Sequence, residues 1–441
     1  MIGKTPDQNQ GNLFSTTLRD LLNPGHELYL LANKINWKQF EDDLAPLYSH
    51  TGRPSAPIRL MVSLLILKQI DDLGDETVVG KWVENPYYQY FSGMNVFQWK
   101  PPIDPTDLVK FRQRIGEEGV KLIFKASIDV HGDLATEDQI VADTTVQSKA
   151  ITYPTDAKLY KRVIEYCRRV SREEGFRMRQ SYVRVVPQLM REQFNAHHPK
   201  RRKKARKAFR KLKTIAGRLV RELERNLGPD PGAKHAELLI ILKKTLSQTR
   251  KSKDKVYAIH APEVACIAKG KAFPKYEFGS KVSIATTKTA GIIVAVENFQ
   301  GNPYDGDTLK ATLDIYKDLH KCEPKLLIAD RGYRGRRQIG KTTILTPTKS
   351  KQSDSYYKKR QIRYQFRRRT AIEPLIGHLK SRFRLNRNWL KGTQGDRINL
   401  FLAAAAWNFK KWMRRNGSAS LLTWILLQFV QGLRRRRLRW G

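Results

Sequence analysis

Cysteine is scarce in this chain: there are three among 441 residues, and Cys167, Cys266 and Cys322 lie far apart with no Cys-x-x-Cys spacing. Neither a disulfide framework nor a zinc ribbon is supported, and a reducing cytosol suits the pattern. His197 and His198 have no matching cysteines and read as a surface loop. Long apolar runs are also lacking. The longest late one, residues 421–430, falls far short of the ~20 residues that span a bilayer, so it reads as a packed helix and no membrane partner is expected. Residues 1–12 are polar and rich in Gln and Asn, without the basic-then-apolar pattern of a signal peptide. They read as a disordered tail, and export is not expected. No internal repeat and no heptad seam is evident.

Acidic residues are few. Against 42 Asp plus Glu stand 83 Lys plus Arg, a net charge of +41, with a pI near 10.2. Solubility requires far less, and a nucleic-acid partner is the economical explanation. A ribosome-associated protein, a membrane-surface binder and merely solvated charge are the alternatives. Hydrophobic residues at 40% and charged ones at 28% fit a folded chain, with length for about three average domains.

Residues 13–130 read as a helical N-terminal domain. Ser55-Ala56-Pro57 leads into a run with proline in the first turn and leucines at helical spacing, which predicts a buried helix. Residues 104–115 start another, with Leu108, Phe111 and Ile115 inward and Lys110, Arg112 and Arg114 outward. Arg112 and Arg114 could read sequence from a DNA groove, or the face could simply be solvated. Residues 138–147 switch to β-branched alternation. Residues 158–255 return to helix, broken into two arms at Gly228-Pro229-Asp230-Pro231-Gly232, and read as a basic insertion. Within its densest tract, residues 200–211, Lys203, Lys204 and Arg206 are expected to touch DNA backbone, as are Arg435 and Arg436 in the C-terminal helix and Arg-rich tail, 416–441.

Strand signals resume at residues 276–286 and 291–297, separated by a short turn, as in an antiparallel hairpin. Asp305-Gly306-Asp307 opens a helix to about His320, residues 325–329 form a short buried strand, and residues 342–346 a further one. Without the insertion the order is strand, hairpin, helix, strand, strand, helix. That predicts an α/β (α+β) core, a mixed sheet with flanking helices, over residues 131–157 and 256–415.

Two apolar runs in this core each end in an acid, Asp143 and Asp330. If the strands are neighbours, their carboxylates can share a divalent ion. Further on, Phe366, Arg369, Glu373 and Lys380 are spaced three, four and seven apart, which puts all four on one face of a helix. That stripe sets an acid between two cations, and Arg369 and Lys380 could grip phosphates flanking a metal-bound phosphodiester. The chemistry expected of such a site is two-metal phosphoryl transfer, and oxygen ligands favour Mg²⁺ or Mn²⁺, two ions. Singly, each acid could instead cap a turn or belong to a surface ion pair.

Arg369, Glu373 and Lys380 fit the Tyr-x2-Arg-x3-Glu-x6-Lys signature of the DDE transposases of bacterial insertion sequences, with Phe366 at the tyrosine position. That signature is related to the insertion-sequence-four group. Asp143-Thr144-Thr145 and Asp330-Arg331-Gly332-Tyr333 resemble the two aspartate motifs of the same transposases. Asn302-Pro303-Tyr304-Asp305 and Tyr276-Glu277-Phe278-Gly279 are similar to the insertion-sequence-five type. The resemblance covers roughly residues 13–415. It implies a ribonuclease-H-like core with an insertion after the first strand, Asp143, Asp330 and Glu373 as catalytic metal ligands, and Phe366, Tyr333, Arg369 and Lys380 on DNA. Phe366 keeps a stacking surface and loses the tyrosine hydroxyl.

The function expected is a transposase that binds terminal inverted repeats, cleaves DNA and joins 3′ ends to target DNA. It would act on double-stranded DNA, as a homodimer on that DNA, in the bacterial cytoplasm at the nucleoid. A non-catalytic sequence-specific DNA-binding relative and a structure-selective nuclease are the competing readings.

Overall fold

The β-branched segment after residue 138 forms the first strand of a seven-stranded sheet, and the strands follow in chain order as β1 (Gln139–Ser148), β2 (Ala265–Ala268), β3 (Tyr276–Thr287), β4 (Ile293–Phe299), β5 (Leu326–Ile328), β6 (Gln338–Ile339) and β7 (Thr342–Leu345). The computed structural model describes residues 3, 16–49, 51–52, 54–268, 275–347 and 354–437, without the side chains of 362 and 418–437. The expected tail of residues 1–12 therefore lies almost wholly outside the described residues, as do the side chains of Arg435 and Arg436. The chain divides into two compact units, one of residues 1–147, 281–299 and 303–441, the other of residues 148–280 and 300–302.

In the first unit the sheet order is β4-β3-β1-β5-β7-β6. β1, β5 and β7 are parallel, while β4 runs antiparallel to β3 and β6 to β7. This is the mixed sheet of a ribonuclease-H-like fold. Ile140, Val141 and Ala142 are all buried in β1, as the continuous apolar run of a strand covered on both faces requires. The two-residue β6 was not foreseen, because two residues among arginines carry no period.

Helices cover this sheet. The helix Ile58–Ile70 is buried nearly all round, whereas the helix Pro105–Asp129 starts on an Asp104 cap, with proline in its first turn, and is bent at Gly116, whose φ of 58° and ψ of −153° suit glycine alone. The helix Gly392–Arg437 contributes Phe401 and Phe409 to one core cluster that also takes in Leu31, Leu64 and Trp82 from the N-terminal helices and Ile140, Val294 and Leu327 from the sheet. Polar contacts lock the same junction. The Asn408 side chain accepts from Ile293 N and donates to Ile293 O, both at 2.9 Å, completing the backbone pairing at the start of β4. Arg397 bridges Glu117 at 2.8 Å and Glu297 at 2.9 Å.

The second unit is mostly helical: Asp156–Glu173, Val185–Gln193, Pro199–Leu227 and Gly232–Ser247. Along Pro199–Leu227, Ala205, Ala208, Leu212, Ile215, Leu219 and Leu223 are buried at helical spacing, packing with Tyr160, Ile164 and Cys167 of the first of these helices. Lys203, Arg206, Lys207 and Arg210 occupy the exposed face. β2, another strand not read from sequence, pairs antiparallel with the first residues of β3. Among the described residues no helix is long and apolar enough to cross a membrane.

Candidate active site

The parallel ladder between β1 and β5 ends at Val141↔Ile328, so Asp143 and Asp330 each lie two residues past the last paired position of adjacent strands. The expectation that Asp143 ends its strand needs correction, since β1 continues to Ser148. The acid is nonetheless at an open edge, because β5 stops first and Asp330 turns away. Asp330 caps the short turn Arg331–Tyr333, its Oδ1 accepting from Gly332 N at 2.7 Å. Asp143 Oδ1 accepts from Thr144 N at 2.8 Å.

A third aspartate, which sequence reading placed at a helix start and in a family-like segment without giving it a site role, belongs to this group. Asp305 Oδ1 receives the Thr144 hydroxyl at 2.7 Å and the Lys281 ammonium at 2.6 Å, and Lys281 also donates to Pro303 O at 2.6 Å. A Cβ placed on Gly332 would lie 2.9 Å from Asp330 Oδ1 and 3.1 Å from Asp305 Oδ2. Glycine there leaves the two carboxylates room to approach. The signal that could have exposed Asp305 is its chain position, at the start of the helix Asp305–His320 that follows β4.

Tyr333 lies beneath these acids. It is fully buried, which corrects its assignment to DNA contact, and its hydroxyl has no hydrogen-bond partner among the described residues. Thr144 lies beside it, but the threonine proton goes to Asp305. Burial first, then the charges of Asp143, Asp305 and Asp330, raise the Tyr333 pKa well above its usual value. The hydroxyl therefore keeps its proton in the midst of the aspartates.

Glu373 does not join them. Its helix is Ile372–Arg382, separated from Tyr356–Arg367 by a tighter turn, Arg369–Ala371. The continuous stripe from Phe366 to Lys380 is thereby corrected to two helices with a break. Phe366 packs with Val141, Ile328 and Ile372 beneath the acid-bearing strands. The Glu373 side chain is 62% exposed and has an ion pair with Arg369 at 3.8 Å, while Lys380 is half-buried. Among the described residues no group of three His, Cys, Asp or Glu side chains could hold a metal ion. In donor chemistry the acids still fit a hard divalent cation, for they are oxygen ligands without sulfur or imidazole.

The other expected DNA contacts divide. Arg112 is withdrawn as a base reader: its guanidinium is buried and gives two bonds to Asp75, at 2.7 and 2.6 Å. Burial alone would raise the Asp75 pKa, but Arg112 and Lys68 hold it down at about 2. Arg114 is exposed and lies over the Tyr48 ring at 4.5 Å. In the second unit Lys203 and Arg206 are exposed, and Lys204 is 3.6 Å from Glu192.

Fold and acids together mark a class of nucleic-acid-processing enzymes built on a mixed sheet. Residues 16–114 match a transposase domain family (DUF772), and residues 235–409 match the transposase DDE domain. An uncharacterized protein of Rhizobium meliloti, ORF8 in the nfe locus, is 39% identical over 186 residues, 41% of this chain and 90% of that protein. No solved structure matches. The chain belongs to the DDE transposases of insertion sequences. Its class of activity is that of a metal-dependent polynucleotidyl transferase acting on DNA.

Proposed function

We propose that this transposase, of the insertion-sequence-five type, binds the terminal inverted repeats of its element, cuts there and joins the 3′ ends to target DNA, with Asp143, Asp330 and Glu373 as the catalytic acids. The observation that carries this reading is the shared register of Asp143 and Asp330 past the end of the β1–β5 ladder. Backbone hydrogen bonds fix the strands, so the two carboxylates are placed before substrate arrives. Two ions, magnesium or manganese, supply charge stabilisation for the entering and leaving oxygens when bound there. Thr144, bonded to both Asp143 and Asp305, keeps the first acid aimed. Glu373 completes the set by leaving Arg369 and turning toward the aspartates as DNA binds, which releases Arg369 to a phosphate.

The exposed cations Lys203, Lys204 and Arg206, with Arg435 and Arg436 of the tail, hold the DNA backbone, and Arg114 lies on the side of the N-terminal helices. The enzyme works as a homodimer holding two ends, in the bacterial cytoplasm on the nucleoid. Duplexes carrying the element's ends, incubated with Mg²⁺ or Mn²⁺, are expected to be nicked and joined by the wild type. Asp143→Ala, Asp330→Ala and Glu373→Ala are expected to abolish both steps, and full activity in any one of them overturns the assignment of that acid.

A further inference from the structure

Beyond the acids, the first unit has a cleft of about 360 Å³ between the helices Ile372–Arg382 and Gly392–Arg437, with His378, Arg382, Trp407, Lys411, Arg414 and Arg415 on its walls. Trp407 forms an aromatic wall: its ring stacks on His378 at 5.9 Å and its indole N–H donates to Gly291 O at 3.2 Å. The Lys411 ammonium is 5.7 Å from the centre of the Trp407 ring. Lys410 on the same rim is matched by Glu27 at 2.8 Å. Arg382, Lys411, Arg414 and Arg415, by contrast, have no carboxylate partner among the described residues. Burial, then the neighbouring Arg414, lowers the Lys411 pKa. Four like charges gathered without counter-charge repel one another, and an anion bound between them relieves that repulsion.

The class of the protein says which anion, since a transposase holds DNA by its phosphodiesters. The cleft is separate from the acids, for Arg382 and Glu373 project from opposite faces of their shared helix. We propose that the cleft is a second phosphodiester-binding site, gripping the DNA apart from the bond cut at the acids. The inference rests on the transposase reading of Asp143, Asp330 and Glu373.

The test uses the full chain and end-bearing duplexes in which single phosphates are replaced by uncharged methylphosphonates, with the cut mapped on unmodified duplex and binding read by fluorescence anisotropy. A neutral linkage at one position outside those flanking the cut is expected to weaken wild-type binding about tenfold. The same linkage is expected to cost the Arg414→Ala/Arg415→Ala protein almost nothing more. Both arginines are exposed, so thermal unfolding of that variant should match the wild type. An interference pattern identical in variant and wild type, or no effect at any position outside those flanking the cut, overturns the cleft. If Asp143-dependent cutting persists alongside that result, only the cleft is lost. If no metal-dependent cutting occurs on any end, the transposase mechanism itself has failed.

Discussion

Asp143 stands on a strand and Asp330 in the turn that follows the neighbouring strand bonded to it, whereas Glu373 stands in the first turn of an 11-residue helix that follows a break. Moving Asp143 means distorting a strand of the sheet, and moving Asp330 means undoing its own cap on Gly332 beside Ala329, whose N–H is bonded to Leu345 O at 3.0 Å. Moving Glu373 means re-docking a short helix held by Ile372, Leu375 and Leu379. One half of the site is thus fixed by secondary structure and the other by side-chain packing, which answers far more readily to a ligand.

The largest effect that would break this contrast is in the acids themselves. Asp143→Asn and Glu373→Gln should each lower strand transfer by at least about 10³-fold. In DNA-free protein, however, Asp143→Asn should weaken Mn²⁺ binding by about tenfold or more, and Glu373→Gln should leave it nearly unchanged, as read by calorimetry. Equal losses of Mn²⁺ affinity would mean that Glu373 is as fixed as the aspartates.

Next in size is Arg112, held as firmly in the helix Pro105–Asp129 by its pair with Asp75. Arg112→Met strands Asp75 beside Lys68 and should cost about 3–5 kcal/mol in denaturant unfolding, the usual loss on breaking a buried pair. The Asp75 pKa is depressed from 3.8 to about 2, so the pair's contribution is complete above pH 3.8 and is lost as pH falls through 2. A variant that unfolds like the wild type but loses end discrimination would restore Arg112 as a reader.

A smaller effect should come from His131, which bonds Asn408 O at 3.0 Å. Burial, followed by Lys411 and Arg415, pushes its pKa from 6.5 down to about 4. The unfolded chain therefore takes up a proton that the folded one refuses. Stability should fall by roughly 2–3 kcal/mol as pH drops from 6.5 to 4, and His131→Gln should flatten that slope. The smallest effect belongs to the exposed face of the second unit. Lys203→Ala/Arg206→Ala should reduce the salt dependence of DNA binding by about one unit for each phosphate left unneutralised, alike for element ends and random duplex. A weakening confined to the ends would give that helix a part in recognition.

The residues differ in how legible they were. The strand carrying Asp143 and the apolar run before Asp330 were readable because buried parallel strands write continuous apolar stretches into sequence. Their adjacency was only a condition there, since strand order depends on contacts between distant segments. Arg112 was misread because an amphipathic pattern sorts residues by type, and a buried bidentate pair with Asp75 leaves the same letters as a solvated face. The break after Arg367 escaped notice because Arg, Thr and Ala suit a helix, and tertiary packing imposed the tighter turn. Asp305 was hidden by a second use of its letter, that of an ordinary acid opening a helix.

Because one apolar interior runs from Leu31 and Trp82 through Ile140 to Phe409, the front of the chain shares its inside with the sheet and the last helix. A fragment stopping at residue 130 keeps its helices but leaves bare the surfaces that met the sheet and the last helix. Such a piece is expected to aggregate, so the first 130 residues are not a portable DNA-reading module. In the intact chain, a displacement of those helices reaches the strand that bears Asp143 without crossing a linker.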